Sequence, residues 1–230
     1  MMRLSLTAVA ATLAVVVCCP ALAPAQDEGA QEKKASAAYF PLEVGSSWTY
    51  EVLNASVEVK AVKKEKVGDE EDCVLLETIV NGKAVASEHV KVKEDGVYRY
   101  SINKQEPTKP VMFLSFTKVG ESWDVDTSMQ GQELKGKFKL SEIKELKIGD
   151  ETYTNVLLSE TSEFRIAGQE TEVKYWFAEG VGLVKQVFSL DGQEVELDLT
   201  KHELAKPAEK PMEKPAEKPA EKPAEKPEDN

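Results

Sequence analysis

Histidine and cysteine are scarce in this 230-residue chain, with two of the first and three of the second. His89 and His202 come without an H-E-x-x-H pair, and no G-x-S-x-G elbow occurs among the many serines, so neither a zinc site nor an activated serine is spelled out. Cys18 and Cys19 fall in the apolar leader, which leaves Cys73 alone in the body and rules out an internal disulfide there. Its setting, Cys73-Val74-Leu75-Leu76, is that of a small buried hydrophobe rather than a reactive thiol. Helical periodicity is also missing. The nearest approach, Leu140, Ile143 and Leu146 within Leu140–Ile148, is flanked by strand-like sequence and reads as strand, with helix as the alternative. Cations are in deficit, 29 Lys and Arg against 41 Asp and Glu, for a net charge of −12. Such a surface repels phosphate backbones and anionic lipid headgroups, so neither nucleic acid nor an acidic membrane face is expected as a partner.

What is present begins with an address. Arg3 gives a short positive start, Leu4 to Val17 is apolar, and Ala23-Pro24-Ala25 supplies the small residues a signal peptidase reads. Residues 1–25 are therefore expected to be a signal peptide, with export to the periplasm or outside and no transmembrane segment in the mature chain. Lipidation at Cys18 or Cys19 is the alternative, disfavoured because Val17 and Cys18 precede them where a small residue is normal.

Residues 26–38 form a polar linker, residues 39–204 a body rich in Val, Leu, Thr and aromatics, and residues 205–230 a low-complexity tail. The tail repeats Lys-Pro-Ala-Glu, as in Lys214-Pro215-Ala216-Glu217, and proline at every fourth position forbids a helix. It has little to bury and is expected to be disordered with polyproline II character. It reads as a solvated terminus, or alternatively as a spacer.

The body alternates with a period of two. Trp48, Tyr50 and Val52 share one face; Tyr98, Tyr100 and Ile102 another; Val195, Leu197 and Leu199 a third. Turn chemistry lies between such runs at Gly68-Asp69, Asn81-Gly82, Asp95-Gly96, Gly149-Asp150 and Asp191-Gly192. The fold expected is all-β: a single curved antiparallel meander sheet, or a partly closed β-barrel, of about ten strands.

Two motifs bracket this body: Phe40-Pro41-Leu42, Gly45, Trp48 and Tyr50 near its start, and Trp176-Phe177-Ala178-Glu179-Gly180-Val181-Gly182-Leu183-Val184 near its end. Together they resemble a group of bacterial secreted proteins and lipoproteins in which F-P-L-x-x-G-x-x-W-x-Y is paired with W-(F/Y)-A-x-G-V-G-L-V. The resemblance implies a curved antiparallel sheet, distantly similar to lipoprotein-carrier folds that cradle acyl chains. It implies no chemistry. On physical grounds, Gly180 and Gly182 around Val181 make a sharp bend between two strands, because strand sequence rather than a helix N-terminus follows.

No catalytic residues, metal ligands or cofactors are expected. Asp124 and Asp126, near Glu121, could form an acid pair but read as solvated charge. The expected function is non-enzymatic binding or carriage of a small apolar ligand by a monomer, with Trp48, Tyr50, Tyr98, Tyr100, Phe138 and Trp176 as candidate contacts. The alternatives are an interaction module for an envelope component and, last, a hydrolase of envelope polymers.

Overall fold

The computed structural model describes residues 35–190 and 192–206. The expected leader with Cys18 and Cys19, the linker up to residue 34 and the repeats from residue 207 lie outside those residues. Twelve strands follow in chain order: β1 (Ser47–Val52), β2 (Ala55–Val67), β3 (Glu70–Val80), β4 (Lys83–Val92), β5 (Gly96–Ile102), β6 (Val111–Ser115), β7 (Ser122–Met129), β8 (Gln132–Ile148), β9 (Glu151–Ile166), β10 (Gln169–Ala178), β11 (Gly182–Leu190) and β12 (Gln193–Glu203). They form one antiparallel meander in the order β6-β5-β4-β3-β2-β1-β12-β11-β10-β9-β8-β7, nearly closed into a barrel. Each strand pairs with its successor except β6 with β7, and β1 pairs with β12 to join the two halves.

The excess over about ten strands comes from elements with weak signals. β6 has only five residues. The turns at Leu53-Asn54, Gln130-Gly131 and Ala167-Gly168 lack the Asn-Gly and Asp-Gly pairs that mark tight hairpins, yet all six residues take positive φ. Leu140–Ile148 is strand, inside β8. That hairpin is the longest in the sheet, and partnering with β9 continues to its tip at Ile148 and Glu151.

The interior is aromatic. Trp123 stacks on Phe138 at 5.5 Å, Phe138 on Tyr175 at 6.3 Å, Tyr175 meets Phe113 at 5.7 Å, and Phe113 meets the edge of Phe40 at 5.6 Å. Strands far apart in sequence are thereby joined through one continuous row of rings, each such pair adding about 0.5–1.5 kcal/mol beyond its buried area. Phe40 reaches this row from a segment that crosses one end of the sheet. There Ala35 N–H donates to Thr117 O, Gly180 N–H to Ala38 O at 2.8 Å, and the Tyr39 hydroxyl to Asn155 O.

Between β6 and β7 a strand ladder is replaced by scattered bonds. Thr108 N–H donates to Ser128 O at 2.8 Å. The Thr127 hydroxyl donates to Lys109 O and accepts from Lys109 N–H, both at 2.9 Å. Trp123 Nε1 donates to Met112 O at 2.9 Å, and the buried Ser159 hydroxyl to Phe113 O at 2.7 Å. The polar edge of β6 is satisfied largely by side chains.

One bulge corrects a face assignment. On β4 and β5, His89 pairs with Ser101 but Val90 with Arg99, so Tyr100 is an extra residue. Tyr98 and Tyr100 pack with Val67 and Cys73 in a satellite cluster, whereas Val97 joins the main core and Ile102 lines an interior cavity. The three residues Tyr98, Tyr100 and Ile102 thus do not share a face. Cys73 is fully buried there, and burial pushes its thiol pKa up.

A second irregularity, between Lys135 and Lys137 on β8, depends on Gly136. A Cβ there would lie 2.5 Å from Phe164 Cα and 3.0 Å from Glu163 O, both of them backbone that cannot swing away. Gly136→Ala is expected to destabilise the protein by about 1–3 kcal/mol through forced strand separation, measured as a shift of the urea unfolding midpoint. An unchanged midpoint would remove the close approach as a constraint.

Candidate functional site

The two sequence motifs meet in space. Trp48 Nε1 on β1 donates to Val181 O at 2.8 Å, and the Tyr50 hydroxyl donates to Leu183 O at 2.9 Å. Both side chains reach over β12 to the start of β11, because β12 lies between the two strands. Gly182 makes this approach possible: its φ is +103°, and a Cβ would sit 3.3 Å from the indole nitrogen. Burial raises the Tyr50 pKa, with the charges of Glu88 and Tyr153 adding to it, so the hydroxyl stays protonated as a donor.

This clasp forms one wall of a cavity of about 350 Å³ on the inner face of the sheet. Val57 and Val59 of β2, Leu76 of β3, Leu183 of β11 and Leu197 of β12 supply an apolar lining, and Phe40, Phe113 and Tyr175 supply aromatic surface. The volume falls at the lower end of the range for small-molecule sites. Two charged residues line the cavity, Arg99 and Glu88. Arg99 Nε donates to Glu88 Oε2 at 2.5 Å, its guanidinium carbon lies 4.9 Å from the centre of the Phe113 ring, and Nη1 points at the Tyr175 hydroxyl at 3.5 Å. Burial works against the arginine's charge, but Glu88 and Tyr175 outweigh it and hold the pKa above the ordinary value.

Of the sequence candidates, Trp48 and Tyr50 line this cavity. Phe138 does not. It is 2% exposed and sandwiched between Trp123 and Tyr175 in the ring stack. Tyr98 and Tyr100 are on the other side of β5, where their hydroxyls donate to Asp95 Oδ2 and Glu70 Oε2. Trp176 is half-buried on the face of β10 opposite Tyr175 and Phe177, with Lys185 Nζ 5.9 Å from its ring centre. Arg99, Glu88, Phe40 and Phe113 were not among those candidates. A signal for Arg99 existed: the chain has three arginines, and only Arg99 and Arg165 fall in a body otherwise supplied with lysine. Arginine is the cation suited to buried pairing and ring stacking.

Other polar groupings have plain structural accounts. Ser101 Oγ, His89 and Glu65 form a string, with Nδ1 to serine and Nε2 to glutamate, each at 2.6 Å. The order resembles a nucleophile chain, but Ser101 is 1% exposed and the carboxylate is the accessible end, so no substrate carbonyl can reach the hydroxyl. Asp124, Asp126 and Glu121 are exposed, and Asp124 is 3.5 Å from Lys137. An open recess beside β12 is lined by Glu51, Asp150, Glu151, Glu196 and Asp198. Lys185 pairs with Glu196 there and lies 3.2 Å from Asp198, whose burial raises its pKa. Among the described residues no group of three or more His, Cys, Asp or Glu is arranged to hold a metal ion.

Comparison with known proteins adds the following. No family model matches the sequence. No curated protein matches it either. Among solved structures, the chain is similar to one described as a "putative lipoprotein" from Parabacteroides distasonis, at 12% identity, covering 72% of this chain and 98% of the other with a TM-score of 0.39.

Two predictions follow from these contacts. Tyr50→Phe keeps the ring and loses the donor, stranding the Leu183 carbonyl, and Trp48→Phe strands the Val181 carbonyl while also exchanging the indole for a smaller ring; each is expected to cost at least about 1–3 kcal/mol in urea unfolding. On the outer face, hydrogen bonds from Lys91 and Lys93 hold the Glu70 pKa down at about 2 from an ordinary 4.5. A depressed folded-state pKa stabilises the fold above the unfolded value, and that contribution is lost as pH falls from about 4.5 towards about 2. The thermal midpoint should therefore drop over that window, and Glu70→Gln should flatten the drop; an identical pH profile in the variant would exclude Glu70 as the source.

Proposed function

We propose that this chain is an exported, non-enzymatic binding or carrier protein for a small, largely apolar molecule held in the cavity on the inner face of the sheet. The observation that carries the reading is the lining. A recess of about 350 Å³ bounded mainly by valine, leucine, tryptophan, tyrosine and phenylalanine leaves apolar surface in contact with water, and that surface is covered favourably by an apolar occupant. The leader-like start of the sequence supports the exported location, and the acidic surface keeps the protein off phosphate-bearing partners. A cavity of this size suits one small molecule per chain, in a protein we take to act as a monomer.

The test is native mass spectrometry of the purified protein, alongside solvent extraction and mass analysis of what it releases. A reproducible co-purifying small molecule is expected. Ala86 lines the cavity from β4, so Ala86→Phe should fill it and abolish that adduct while leaving the circular dichroism spectrum unchanged. Persistent adduct in the filled variant, or a bare protein mass throughout, would overturn the reading and favour an envelope interaction module.

A further inference from the structure

We infer that the cavity's occupant is an amphiphile with a carboxylate head, bound by the unused edge of the Arg99 guanidinium and the Tyr175 hydroxyl. The inference rests on the binding reading above and specifies its ligand class. A guanidinium carries five N–H donors in a fixed fork. Glu88 takes the Nε donor, in a one-point contact that leaves the Nη edge outside the pair. Nη1 makes only the long contact to Tyr175, and Nη2 has no partner among the described residues. It is not sealed either, since the buried side-chain atom lacking a hydrogen bond among the described residues is Asp198 Oδ1. Donors therefore face a space whose remaining lining is mostly apolar.

The sign of the head group follows from what each choice must displace. A cationic head would compete with Arg99 for Glu88, the one carboxylate in the lining. An uncharged head such as a hydroxyl accepts one N–H bond but offers neither a second oxygen nor a countercharge to the fork. A carboxylate accepts two parallel N–H bonds from the Nη edge, the arrangement arginine makes best, without breaking the existing pair. The Tyr175 hydroxyl, which accepts from Nη1, still has its own proton to donate. Phe113, its ring centre 4.9 Å from the guanidinium carbon, supports the group by a cation–π contact before any ligand arrives. The cavity's 350 Å³ accommodates about a dozen water-sized groups, the scale of a medium-chain acid.

The experiment is calorimetric titration of the purified, delipidated full chain at neutral pH with decanoate, decanol and decyltrimethylammonium. Decanoate is expected to bind at least tenfold more tightly than decanol, and the ammonium compound more weakly than either. In Arg99→Met the decanoate preference should vanish while decanol binding persists, and in Glu88→Gln decanoate should bind as well or better, because a competing negative charge is gone. Equal affinities for decanoate and decanol in the unmodified protein would overturn the inference and leave the cavity reading standing, as would preference for the ammonium compound. Binding of none of the three would overturn both. The comparison within the unmodified protein does not depend on any variant folding.

Discussion

A meander can wrap a core only if its first and last strands are held together, and in this protein that junction is a pair of side chains as much as a ladder. β1 and β12 pair with an interruption between Thr49 and Tyr50. Trp48 and Tyr50 then bridge over β12 to the backbone of Val181 and Leu183. Two long aromatic side chains, each buried along its length and hydrogen-bonded at its tip, lock three strands at a fixed curvature. The wall of the cavity is that same pair of rings. Curvature, closure and the shape of the inner recess are consequently one constraint, and the opening and closing motifs of the sequence are its two halves.

Much of this was legible beforehand. Alternation in Trp48, Tyr50 and Val52 gave the correct inner row, and Gly180-Val181-Gly182 gave the bend before β11, because a period of two and glycine at positive φ are local properties. The bulge at Tyr100 was not legible. An inserted residue leaves no mark in composition, yet it exchanges the faces of everything beyond it. It put Tyr98 and Tyr100 outside with Cys73 and brought Ile102 inside. Arg99 was hidden for a related reason: between two tyrosines taken as inward, it reads as outward charge. Phe138, expected as a ligand contact, belongs instead to the ring stack, and alternation cannot say whether a buried ring borders a void or another ring.

The two faces of the sheet treat charge differently. Outside, Glu70 draws in Lys91, Lys93 and the Tyr100 hydroxyl, and His89 is held by Ser101 and Glu65; these groups are mutually satisfied and have little left to offer a ligand. Inside, Arg99 and Glu88 neutralise each other while leaving donors over.

The junction of β6 and β7 carries a different consequence. Elsewhere neighbouring strands pair through backbone ladders, bulged in places, but these two edges are tacked together at Thr108, Thr127 and Trp123. Unfastening them breaks a handful of bonds and leaves every hairpin intact, so the girth of the wall is set at this one slit. The Trp123 indole that fastens it is also the first ring of the stack that continues through Phe138 and Tyr175 to Phe113 beneath Arg99. The floor under the guanidinium is thus continuous, ring by ring, with the fastening at the slit.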